Sequence, residues 1–83
     1  MAILIKILKC NEDDVTAEYI FAKDADWQNP TRTGQVLINK ADGHYTIIRE
    51  PEIESDSTTT RVIYKLLKHW QANEFPDETS WAS

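Results

Sequence analysis

Only one stretch of this chain places apolar residues at helical spacing: Ile63, Leu66, Leu67 and Trp70, with Val62 at the margin of the stripe. Arg61, Tyr64, Lys65, Lys68 and Gln71 fall on the opposite side. Asp56, Ser57 and Thr58 can cap its start, and Asp56 also complements the positive end of the helix dipole. Pro76 stops the helix at about Asn73 or Glu74, because proline lacks the amide proton and clashes with the preceding turn. A helix of about 16 residues is roughly 24 Å long and covers one face of a small sheet, not two.

Everything before the helix reads at period two. Ile3, Ile5 and Ile7 point one way and Leu4 and Leu8 the other, predicting a strand from Ile3 to Lys9. Asn11-Glu12-Asp13-Asp14 is a polar turn, and Val15 to Lys23 reads as its antiparallel partner, with Val15, Ala17, Tyr19 and Phe21 on one face. Asp24 to Thr33 is a connection, with a turn at Asn29-Pro30. Gln35 to Lys40 and Tyr45 to Arg49 are two further strands around Ala41-Asp42-Gly43-His44, where Gly43 supplies positive φ. The predicted fold is α+β: a four-stranded antiparallel meander with one C-terminal amphipathic helix on one face, ββββα. Residues 1–75 form the single domain and 76–83 a short tail that Trp81 can dock. Leu4, Leu8, Ile20, Leu37 and Ile48 are left on the sheet face away from the helix.

Composition narrows the function. At 83 residues, with 41% hydrophobic and 28% charged residues, the chain is one small globular domain. Its net charge of −5 opposes binding to nucleic-acid phosphates or to anionic lipid. The apolar N-terminal run is broken by Lys6, has no basic segment before it and no small-residue cleavage site after it, and no stretch is long enough to span a membrane. With Cys10 as the only cysteine, no internal disulfide can form. The expectation is a cytoplasmic protein.

No constellation reads as catalytic, as metal-binding or as a cofactor site. Cys10 is followed by Glu12, Asp13 and Asp14, which would raise rather than lower a thiol pKa. His44 and His69 share no ligand spacing, the acidic turn lacks a calcium-loop pattern, and Gly34 and Gly43 make no phosphate-binding loop. Glu18 sits mid-strand and reads as a cross-strand ion pair with Lys6.

Two features read as recognition surfaces instead. Glu50, Glu52, Glu54 and Asp56 alternate with uncharged residues, so an extended chain lines them along one side. The helix stretch Arg61–Gln71, by contrast, holds three of the nine basic residues and none of the fourteen acidic ones. Trp27 and Trp81 lie in a loop and a tail, either covering the reverse sheet face or anchoring a partner. The expected function is a non-catalytic protein–protein interaction module whose contacts are Glu50, Glu52, Glu54, Trp27 and Trp81. The partner is another protein, a second copy of the chain included. One alternative is an inhibitor or immunity-type protein that meets a basic partner through the acidic surface. Another is a small enzyme or ligand-binding protein with a pocket near Tyr19, His69 and Cys10. A third is nucleic-acid contact through Arg61, Lys65 and Lys68, with Tyr64 for stacking.

Overall fold

The computed structural model describes residues 4–51 and 58–82. Its elements are β1 (Leu4–Glu12), β2 (Thr16–Lys23), short 3-10 turns at Asp24–Asp26 and Pro30–Arg32, β3 (Gly34–Asn39), β4 (Tyr45–Arg49), α1 (Thr58–Gln71) and β5 (Glu78–Ala82). The strands form one antiparallel sheet in the order β4-β3-β2-β1-β5. The α+β class and the single helix stand as predicted. The sheet, however, has five strands rather than four, and the helix is followed by a strand. The segment read as a tail carries β5, which pairs with β1 through Leu4↔Ala82, Ile5↔Trp81 and Ile7↔Thr79.

The core lies between the sheet and α1. Ile5 and Ile7 of β1, Ala17, Tyr19 and Phe21 of β2, and Val36 and Ile38 of β3 are buried with Val62 and Leu66 of the helix. Ile63, Leu67, Trp70, Phe75 and Trp81 pack around them. Val15, expected on this face, is 58% exposed. Its amide and that of Thr16 both donate to the Asp13 carboxylate, so the turn holds Val15 and β2 begins one residue later. Ile47, opposite Val36 on this face, is 38% exposed. Ile3 lies outside the described residues.

Local chemistry fixes the corners. Gly34 is required by close approach: a Cβ there would sit 2.3 Å from the Phe21 ring opposite it. Gly43 takes φ +73 in the β3–β4 turn, with the Trp70 indole against its backbone. The Trp70 indole N–H donates to the Lys40 carbonyl at 2.9 Å, tying the helix end to this hairpin. Helix α1 closes with Asn73 at φ 57, the Asn73 amide donating to the Trp70 carbonyl and the Glu74 amide to the His69 carbonyl. That left-handed C-terminal cap turns the chain back toward β5.

Candidate functional site

The face of the sheet opposite α1 carries exposed apolar side chains. Leu4 and Leu8 are exposed there, while Ile20 and Leu37 are half-buried, and Ile48, at the register shift of β4, is exposed. The helix makes its closest approaches to β5, β1 and β2 on the other side. Charged and polar groups share this face. Lys6 pairs with Asp24 at 3.0 Å, which ties the first 3-10 turn to β1. The expected Lys6–Glu18 pair does not form, because Lys6 stands opposite Ala22 and Glu18 opposite Asn11, beyond a register shift at Cys10. Glu18 instead accepts hydrogen bonds from the Gln35 amide and the Cys10 thiol. An open recess between β1 and β5 is lined by Leu4, Lys6, Glu78, Thr79 and Ser80.

The residues considered for a pocket do not converge. Tyr19 faces the core, where its hydroxyl donates to the Pro76 carbonyl at 3.0 Å and burial pushes its pKa up to about 12. Cys10 turns instead to Glu18 on the other side of the sheet, with Sγ 3.4 Å from the carboxylate. Its pKa is raised by partial burial first and by the Glu18 carboxylate next, so the thiol form is favoured. The causes are burial and then Glu18, not the acidic turn that follows Cys10 in sequence. His69 bonds Thr79 Oγ1 at 2.9 Å and sits 3.6 Å from Glu74. Among the described residues, no group of three or more His, Cys, Asp or Glu side chains is placed to hold a metal ion.

The other candidates are scattered. Glu50 is exposed just after β4. Glu52, Glu54 and Asp56 lie outside the described residues. Trp27 is half-buried after the first 3-10 turn, and its indole N–H is buried without an acceptor. Trp81 packs against the core, edge-on to Tyr64 with ring centroids 5.7 Å apart. The Lys68 ammonium stands over the Tyr64 ring at 5.2 Å, so one face of the ring proposed for base stacking already holds a cation.

The strongest electrostatic cluster lies at the end of the sheet where the chain returns into β5. Glu12 bridges Lys40 at 2.8 Å and Lys9 at 2.7 Å, and Lys9 also reaches Asp77 at 3.1 Å. Lys40 and Lys9 together hold the Glu12 carboxyl below its ordinary range, and the Glu12 hydrogen bond raises Lys9. Sequence pattern missed this cluster because its members come from three separate segments: β1, the end of β3 and the start of β5. It fastens β1 to the end of β3 and to the start of β5. Comparison with known proteins adds no relative: no protein-family model, curated protein or solved structure is significantly similar to this chain.

Proposed function

We propose that this domain is a non-catalytic protein–protein interaction module that docks through the sheet face opposite α1. The partner suited to that face is a folded protein surface that mixes apolar and polar groups, as non-obligate interfaces do. The observation that carries the reading is the exposure of Leu4 and Leu8 on the sheet face opposite α1, with half-buried Ile20 and Leu37 on the same face. Lys6, Glu18 and Gln35 on the inner strands and Glu78 on β5 interleave both charge signs and polar groups with these apolar residues, which fixes orientation more than it adds affinity.

The test compares partner capture by the unaltered domain with capture by Leu8→Lys combined with Leu37→Lys. Lys65→Glu on the helix serves as the control. A partner retained by the unaltered chain and by Lys65→Glu, and lost with the paired substitution, fits the reading. Equal recovery by all three proteins removes the open face as the docking surface.

A further inference from the structure

The sheet ends on one side at β4, and every residue of that strand is exposed. In an antiparallel ladder, residues alternate between turning their N–H and C=O toward the partner strand and turning them away. The Asn39 amide donates to the His44 carbonyl at 2.8 Å, which makes that facing pair a bonded one. Counting along the register, Leu37↔Thr46 is bonded, and Ile38↔Tyr45 and Val36↔Ile47 are not. The backbone groups of Tyr45 and Ile47 therefore point outward from the sheet. Edge strands are ordinarily guarded by lysine, proline, inward charges or a covering element. Tyr45 to Ile48 carries neither charge nor proline, and α1 sits toward the other edge. The edge at β5 is different, with Asp77 just before it and Glu78 at its start.

We infer that β4 pairs antiparallel with β4 of a second copy of this chain, centred on Thr46. In that register Tyr45 of each copy meets Ile47 of the other and exchanges both backbone hydrogen bonds. The aromatic and β-branched side chains face each other on the helix side, and Thr46 meets Thr46 on the open side, both favoured cross-strand combinations. The residues that meet are uncharged, so the net charge of −5 per chain is not concentrated at the contact. Centring on Ile47 instead would require pairing at Arg49, past the register shift in the ladder, and would bond fewer groups. The two-fold pairing closes on itself and does not propagate. It rests on the reading of the domain as an interaction module and sets the open faces of two copies side by side.

Sedimentation equilibrium of the intact chain over a range of concentrations gives the first readout, with twice the 9.6 kDa chain mass expected at the upper end. Ile47→Pro deletes one outward amide in each copy and spares the bonds to β3. Association should weaken about 10- to 30-fold, while circular dichroism stays that of the parent. Two cysteine variants in a Cys10→Ser background report the register without depending on that proline. Thr46→Cys should form a disulfide-linked dimer on mild oxidation, since facing residues of a non-bonded pair lie about 4.5 Å apart. Ile47→Cys alone should not, because it faces Tyr45. A monomer at every concentration, a dimer indifferent to Ile47→Pro, or equal cross-linking by the two cysteines overturns the pairing. None of these results bears on the open-face substitutions Leu8→Lys and Leu37→Lys, so the two readings fail separately.

Discussion

Asp13 does more for the first hairpin than its exposed position implies. One carboxylate oxygen accepts from the Val15 amide at 2.8 Å, the Thr16 amide at 2.7 Å and the Thr16 hydroxyl at 3.2 Å. The Thr16 and Val15 amides hold its pKa below the ordinary 3.8. A carboxyl whose pKa is lowered on folding contributes stability above its unfolded value, and that contribution is lost as pH falls through the folded one. Asp13→Ala should therefore lower the thermal midpoint near neutral pH, and its deficit against the parent should shrink as the pH is taken well below 3.8. Thermal melts at both ends of that range check it. A deficit that stays constant into acid would mean that the ionised carboxylate is not what holds the turn. The acidic turn was legible as a turn from Asn11 to Asp14. That Asp13 rather than its neighbours makes the bonds, and that Val15 is lost to the core as a result, depends on backbone geometry that a run of acids does not encode.

Among the elements, β5 is the one held by the most varied means. The Lys9 amide donates to the Asp77 carbonyl at 2.8 Å, the Tyr19 hydroxyl to the Pro76 carbonyl at 3.0 Å, and His69 meets Thr79 at 2.9 Å. The Lys9–Asp77 ion pair adds little, since the Asp77 carboxylate is almost wholly in solvent. Tyr19→Phe keeps the buried ring and removes one bond from this set. It should cost about 1 kcal/mol of stability, concentrated on β5. Amide hydrogen exchange is the measurement: β5 protection should fall while the β1–β2 ladder keeps most of its own. Uniform loss across the sheet would show that the Pro76 contact does not separately secure the strand. The same construction explains why β5 escaped detection. Glu-Thr-Ser-Trp-Ala holds one large apolar side chain in five residues, too little for a period-two signal. Its pairing joins the two ends of the chain, with Leu4 opposite Ala82. The strands β1 to β4 and the helix stripe, by contrast, announce themselves through local alternation and spacing. Trp81 was visible as an apolar residue without a home, and the home proved to be the helix side of the sheet.

At the scale of the whole molecule, the architecture is one helix on one sheet, with an outer face that among the described residues is fully buried only at Ala22, beside the Lys6–Asp24 pair. The helix sits toward β5, β1 and β2, so adjacent residues of β1 have opposite fates. Ile7 is fully buried under the helix, while Leu8 stays 37% exposed on the far face. The sequence already carried this asymmetry, because a single helical stripe can cover only one of the two apolar sets in the strands. The difference should appear as a large gap between two neighbouring substitutions. Ile7→Ala removes packed methylenes from the core and should cost about 2–5 kcal/mol, whereas Leu8→Ala on the open face should cost under about 1 kcal/mol. Urea unfolding of both variants, at a concentration where the chain is monomeric, gives the two values directly. If Leu8→Ala costs as much as Ile7→Ala, the face opposite the helix is covered within the monomer, and it is then no docking surface. If the gap appears, the apolar residues on that face are not maintained by the stability of the isolated fold. That uncovered state is what docking through this face requires.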